Sequence, residues 1–397
     1  MTLSERCLRI APSATLVIDA KAKAMIAAGE DVISFGAGEP DFDTPEYIRD
    51  AAKDALNRGV TRYTASAGTL TLRKEICEKL MRDNGLTYDP ADIVVSNGAK
   101  QSLFNALSAL VNPGDEVLLP APCWVSYPEM VHMAGGTGVP VPGEEKDGFV
   151  VTAAQLRPYV TERTKALILN SPNNPNGCVW PRALLSGIAE LAVEKGFYVI
   201  SDEIYEKLIY GGQEHVSIAS LGEAIKRQSI VVNGVSKAFA MTGWRIGYAA
   251  APRAVAKAMD AFQSHSTSAP NSMAQYAAAV ALTNGEQQIE DMRQEFDIRR
   301  HLMYNAVSRI SGLSTHMPEG AFYMMLNISK LLGKRLNGRE ITGADDFAEL
   351  LLAEEKVAVV PGTAFGARDH VRVSYATAQE TIRLGLERIA RFVKRLE

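Results

Sequence analysis

The stretch Ser229-Ile230-Val231-Val232-Asn233-Gly234-Val235-Ser236-Lys237, followed after Ala238–Gly243 by Trp244-Arg245-Ile246-Gly247-Tyr248, decides the fold. Its apolar, β-branched run shows no polar alternation, which is the pattern of a strand covered on both faces. Lys237 therefore leaves the lip of a sheet rather than a solvated helix face. Burial there, with the cation Arg245 eight residues on, lowers a lysine's pKa and leaves a free amine able to attack a carbonyl. Arg245 can fork onto a phosphate. The pair suits a phosphorylated aldehyde held by the lysine as a Schiff base, although a lysine after a strand is, on its own, more often a surface or interface residue.

Working outward, short apolar runs alternate with amphipathic segments from Asp92 to Ala250. The strand candidates are Ile93–Val95, Glu116–Leu119, Ala166–Leu169, Tyr198–Ile200, Ile230–Val232 and Tyr248–Ala250, with helical stretches such as Gln101–Val111 and Arg182–Lys195 between them. This pattern predicts an α/β fold with a mostly parallel sheet flanked by helices. Ligands of such sheets bind beyond the carboxyl ends of the strands, so the polar residues following each run carry the functional reading.

After about residue 280 the texture changes to long charged helices, Gln287–Leu313 and Gly343–Glu355, and short strands such as His370–Ser374. The expected organisation is a large domain over residues 45–280. Residues 1–44 and 281–397 form a smaller α/β domain, including an N-terminal segment that covers substrate, with the active-site cleft between the two.

Composition narrows the class. The chain has 397 residues, 47% hydrophobic and 22% charged, with a formal net charge of −4, so nothing drives it globally toward nucleic acid or an anionic membrane. The four cysteines, Cys7, Cys77, Cys123 and Cys178, form no CxxC pair and have no histidine at metal-ligand spacing, so reduced thiols and no metal site are expected. No apolar stretch reaches bilayer-spanning length and no apolar segment follows the first six residues. A cytoplasmic location is expected.

The strand ends share one chemical theme. After Ile93–Val95 comes Ser96-Asn97-Gly98-Ala99-Lys100-Gln101, a helix start whose free N–H groups can face a phosphate; it also reads as an ordinary small-residue turn. It matches neither the GxxxxGK[ST] nor the GxGxxG pattern. After Leu119 comes Pro120-Ala121-Pro122-Cys123-Trp124, with an indole able to stack on a heterocycle or simply to fill core. After Leu169 comes Asn170-Ser171-Pro172-Asn173-Asn174-Pro175-Asn176-Gly177, a turn-rich loop leaving an amide to bond a ring hydroxyl. After Ile200 comes Ser201-Asp202-Glu203-Ile204-Tyr205. A buried carboxylate needs a partner, and a protonated pyridine nitrogen is one; that pairing keeps the ring an electron sink.

With these elements in order at successive strand ends, the chain resembles the fold-type I pyridoxal-phosphate aminotransferases of class I, and within them the bacterial aspartate aminotransferases of the prephenate-using branch. The likeness runs from Pro12-Ser13-Ala14-Thr15 to Val371-Arg372-Val373-Ser374-Tyr375-Ala376. It is most specific at Ala37-Gly38-Glu39-Pro40-Asp41-Phe42, Ser171–Pro175, Ser201–Tyr205 and Ser236–Gly247. The resemblance implies a seven-stranded, mostly parallel sheet in the large domain and pyridoxal 5'-phosphate as cofactor. It implies Lys237 as the Schiff-base lysine and proton shuttle, Asp202 at the ring nitrogen, Asn174 and Tyr205 at the ring oxygen, and Trp124 on the ring face. Gly98, Ala99, Lys100, Ser236 and Arg245 would hold the phosphate, with Tyr63 reaching the phosphate of a neighbouring subunit in an obligate homodimer.

For substrate, the resemblance implies Arg372 forking onto the α-carboxylate beside the Gly38 backbone, Trp124 and Asn174. Lys100, Thr15 and Arg9 would meet a distal carboxylate, though Lys100 and Arg9 also read as a phosphate counter-charge and an exposed terminal charge. The loop departs from the usual family pattern by having Asn176 rather than Thr before Gly177; a small effect on the turn is expected. The expected activity is exchange between L-aspartate and 2-oxoglutarate, with prephenate as a further acceptor. The alternatives are an aromatic, alanine or kynurenine-type aminotransferase, a C–S lyase of the same fold, and a non-catalytic pyridoxal-phosphate-binding regulator.

Overall fold

The computed structural model describes residues 2–397. Seven strands form its main sheet: β1 (Ile93–Ser96), β2 (Glu116–Ala121), β3 (Thr137–Pro142), β4 (Thr164–Asn170), β5 (Tyr198–Asp202), β6 (Ser229–Gly234) and β7 (Gly247–Ala250). The order across the sheet is β1-β7-β6-β5-β4-β2-β3. The β2–β3, β2–β4, β4–β5 and β5–β6 pairs are parallel, and β7 runs antiparallel to both its neighbours.

Burial on both faces explains the unalternated runs. In β4, Ala166 and Ile168 join one hydrophobic cluster and Leu167 and Leu169 the cluster on the opposite face, as the two-residue period of a strand requires. The first cluster is covered by the helix Ala99–Leu110 through Leu103, Ala106 and Leu107, the second by the helix Arg182–Lys195 through Leu185 and Ile188. The strand β3 was not among the sequence candidates, because Pro140 and Pro142 interrupt it. It lies at the sheet edge and pairs only with β2, where a missing N–H needs no partner.

A second, antiparallel sheet of three strands comprises β8 (Tyr323–Asn327), β9 (Val360–Pro361) and β10 (His370–Ser374), in the order β9-β10-β8. It packs with the helices Glu286–Val307, Ala344–Glu355 and Gln379–Lys394 around a cluster containing Phe296, Phe322, Phe347 and Phe392. Ile33–Ser34 pairs in parallel with Val357–Ala358, which joins the early and late parts of the chain. The four cysteines are free thiols. No helix among the described residues is long and apolar enough to cross a membrane.

Candidate active site

The carboxyl ends of β1, β2, β4, β5 and β6 lie along one edge of the main sheet. Because β7 is antiparallel, its first residue Gly247 lies opposite Ser96 and Gly234. The chain that leaves this edge at Lys237 thus returns to it at Arg245, which accounts for the eight-residue spacing. A cavity of roughly 680 Å3 opens over the edge, and Lys237, Asp202, Tyr205, Asn174, Trp124, Ala99, Lys100, Ser236 and Arg245 all line it. Thr15, Gly38 and Arg372 reach the same cavity from the rest of the chain. Three expected residues are not in the lining: Gly98 caps the helix beside it, Arg9 is exposed, and Tyr63, 96% exposed, projects from the surface.

At one end of the cavity the helix Ala99–Leu110 begins, with Gly98 as its N-cap at φ 86°. The Gln101 N–H donates to the Gly98 carbonyl at 3.0 Å, while those of Ala99 and Lys100 have no acceptor within the helix and sit at the positive end of its dipole. A Cβ on Gly98 would run into the Arg245 guanidinium, and one on Gly247 into the backbone nitrogen of Ala99. These two glycines therefore let the helix start, Arg245 and β7 converge. The guanidinium donates to the carbonyls of Thr242, at 2.8 Å, and Asn97, at 3.1 Å.

Lys237 donates from Nζ to the Gly38 carbonyl at 2.5 Å. Burial pushes its ammonium down to about 8; Glu39 resists, while Arg245 and Arg372 push the same way as burial. Asp202 is 3% exposed. Its Oδ2 accepts from the Tyr127 hydroxyl at 2.7 Å and its Oδ1 from the Ile204 backbone N–H at 3.2 Å. Burial pushes this carboxyl up to about 6, with both hydrogen bonds opposing. Asn170 ties the neighbouring strand ends together: its Nδ2 donates to the Asp202 carbonyl at 2.9 Å and its Oδ1 accepts from the Asn174 N–H at 2.8 Å. Tyr205 and Tyr323 share a hydroxyl–hydroxyl hydrogen bond of 2.9 Å.

Arg372 is 1% exposed. Its Nη1 donates to Asn174 Oδ1 and its Nη2 to the Gly36 carbonyl, each at 3.0 Å, and Nε has no protein partner. The guanidinium lies 4.4 Å from the centre of the Tyr323 ring. Burial of this cation against neutral acceptors lowers its pKa. Lys100 is also lowered, by burial and then by Arg245, and its Nζ sits 4.7 Å above the Trp124 ring. Thr15 shares a 2.9 Å hydrogen bond with Ser13. In the loop, Asn176 Oδ1 accepts from the Cys178 N–H at 2.9 Å, a side-chain turn that accommodates the unusual residue. Gly177, at φ 73°, has no room for a Cβ against Pro318 and Gly320.

Several residues at the site are not legible in the sequence. Tyr127 stands three positions after Trp124, so a helical turn starting there was the available signal. Tyr323 arrives from a distant segment and leaves no local pattern; Glu39, which accepts from Thr242 Oγ1 at 2.7 Å, lies in the specific Ala37–Phe42 stretch, but its approach to Thr242 is visible only in the structure. Glu203, Glu206 and His215 come close enough to share a metal ion, but the group is matched internally. Glu203 accepts from Ser201 and Ser217 hydroxyls and faces His215 Nε2 at 3.0 Å, while Glu206 pairs with Lys79.

The donor set fits one kind of cofactor. A helix start with Ser236 and Arg245 suits a phosphate. A buried carboxylate bonded only by neutral donors suits a protonated ring nitrogen, and an amine of lowered pKa suits an aldehyde. A phosphorylated pyridine aldehyde satisfies all three.

Comparison with known proteins agrees. A family model described as "Aminotransferase class I and II" matches residues 30–389. The chain is 48% identical over 397 residues to the aspartate aminotransferase of Geobacillus stearothermophilus, covering 99% of each chain. It is 46% identical to the aspartate/prephenate aminotransferase of Thermus thermophilus, again covering 99% of each. The crystal structure of the Rhizobium meliloti aspartate aminotransferase superposes with a TM-score of 0.97 at 43% identity, covering both chains completely.

Proposed function

Since the chain belongs to the class I and II aminotransferase family, whose cofactor is pyridoxal 5'-phosphate, we propose that it exchanges the amino group between L-aspartate and 2-oxoglutarate, with prephenate as a further acceptor. The observation that carries the reading is Arg372: a guanidinium 1% exposed, held by two neutral oxygens, with Nε unmatched, in the same cavity as Lys237 and Asp202. Such a cation is poised for a two-point carboxylate contact. The bound cofactor supplies an electron-poor pyridinium ring that takes up the electron pair left when a substrate loses its α-proton.

The chain's own residues then divide the work. The Ala99 and Lys100 N–H groups, Ser236 and Arg245 hold the phosphate; Asp202 holds the ring nitrogen; Asn174 and Tyr205 hold the ring oxygen; Trp124 covers the ring face. Arg372 fixes the substrate's α-carboxylate, with the Gly38 backbone alongside. Lys237, whose lowered pKa leaves much of it neutral near pH 8, takes the α-proton as a general base and returns it as a general acid. Lys100 and Thr15 face a distal carboxylate from the cavity wall, and Arg9 joins them when the N-terminal segment closes. Relatives named for aspartate and for aspartate/prephenate support the substrates proposed.

This division of labour extends to the whole chain. Residues 45–280 form the cofactor-binding domain, and 1–44 with 281–397 the domain that closes over substrate. Two copies form a dimer in which Tyr63 reaches the other copy's phosphate; its 96% exposure in one chain accords with that placement.

Selectivity for an acidic side chain is tested by Lys100→Ala. The ratio of aspartate to alanine kcat/KM falls roughly tenfold to a hundredfold, the scale of one hydrogen bond to a charged group. An unchanged ratio would remove Lys100 from substrate selection.

A further inference from the structure

The proposed pairing of Asp202 with the cofactor's ring nitrogen leaves open what fixes that carboxylate. Resting on that reading, we propose that Tyr127 is a positioning residue, a hydrogen-bond clamp that holds Asp202 in one orientation and keeps the ring nitrogen's proton on the ring.

Three observations carry this. First, each Asp202 oxygen has its own donor, the Tyr127 hydroxyl at 2.7 Å on Oδ2 and the Ile204 N–H at 3.2 Å on Oδ1. Rotation of the carboxylate would break both bonds. Second, Tyr127 is 2% exposed, on the helix Ser126–Met133, and its ring meets Trp124 edge to face, 5.4 Å between centres at 87°. The indole assigned to the ring face and the phenol on the carboxylate are three residues apart, and the Tyr127 backbone N–H donates to the Trp124 carbonyl at 3.0 Å, so the two contacts are set as a unit. Third, the Tyr127 phenol can act only as a neutral donor, because burial first, and then the Asp202 charge, raise its pKa well above the ordinary value. A donor that never ionises lowers the energy of the carboxylate relative to the acid. It thereby offsets the burial of Asp202, to which Glu203 adds and from which Lys237 subtracts. Were the hydroxyl merely satisfying itself in the core, removing it would leave the cofactor's ring nitrogen unaffected.

The test uses holoenzyme reconstituted with cofactor labelled with nitrogen-15 in the ring. Tyr127→Phe keeps the ring packed on Trp124 and removes only the oxygen. Its ring-nitrogen resonance at neutral pH moves toward the unprotonated position. The cofactor dissociation constant, measured by equilibrium dialysis, rises roughly tenfold to a hundredfold, as expected for losing a hydrogen bond to a charged group. A resonance and a constant equal to those of the native enzyme overturn the proposal. If Tyr127→Phe does not fold, a fluorinated tyrosine placed at position 127, a stronger donor of nearly the same shape, serves instead. It tightens cofactor binding, and an unchanged constant is equally fatal. Asp202→Asn separates this proposal from the one beneath it. If that variant leaves the resonance in place, the assignment of Asp202 to the ring nitrogen falls. If it moves the resonance while Tyr127→Phe does not, only the clamp falls.

Discussion

Lys237 sits where charge is penalised: burial, Arg245 and Arg372 lower its pKa against the pull of Glu39, leaving it at about 8. At pH 7 about one lysine in ten is then neutral, against about one in 2,500 for a free side chain. In the cofactor-free protein, the rate at which an acylating reagent modifies Lys237 therefore rises with pH until about 8 and then levels. Peptide mapping across a pH series would show this; a rise continuing beyond pH 10 would mean that the lysine behaves as if in water. Arg372 shows the same physics from the other side, since a guanidinium buried against neutral oxygens is costly unless an anion completes it. Lys237 could be named from its place after a buried strand and its spacing to Arg245, and Arg372 through the family resemblance. The hydrogen-bonded groups that place them could not: Tyr323, beneath Arg372 and bonded to Tyr205, and Asn170, which ties β4 to β5, act through contacts visible only in three dimensions.

At the scale of elements, β5 ends in a segment that works on two sides. Asp202 faces the cavity, and the next residue, Glu203, lies fully buried among Ser201, Ser217 and His215. Burial disfavours the His215 imidazolium, but the Glu203 carboxylate 3.0 Å away, with Glu206 adding and Lys79 subtracting, outweighs it and raises the His215 pKa above 6.5. A raised folded-state pKa stabilises fully below the unfolded value of about 6.5 and is lost as pH climbs through the folded value. His215→Gln should therefore lower the melting temperature most at pH 6 and least at pH 9. Calorimetry at the two values would detect the difference; an equal loss at both would show that His215 contributes by packing alone. Six of the seven strands were legible because their apolar runs are buried on both faces, and the helix Arg182–Lys195 because its apolar period is regular. The edge strand β3 was not, since two prolines conceal a strand that has one neighbour.

For the whole molecule, the central proposal is that two chains share their cofactor sites, with Tyr63 of each supplying a phosphate contact to the other. A Tyr63→Ala chain and a Lys237→Ala chain, each strongly impaired alone, should when refolded together yield hybrid dimers with one native site. Activity would recover to roughly a quarter of the native value if subunits mix at random; no recovery would place each site within a single chain. Substrate preference also belongs to this scale, because Thr15, Gly38 and Arg372 come from outside the main sheet to complete the cavity. The sequence shows these residues but not how closely they approach one another. The most direct test of the transaminase assignment is the visible absorbance of the holoenzyme as L-aspartate is added without any keto acid, followed by 2-oxoglutarate or prephenate in separate samples. The expected result is fading of the band with aspartate and its return with either acceptor. A band unmoved by aspartate but bleached by phenylalanine or alanine would contradict the acidic-substrate assignment while leaving the chemistry of Lys237 in place.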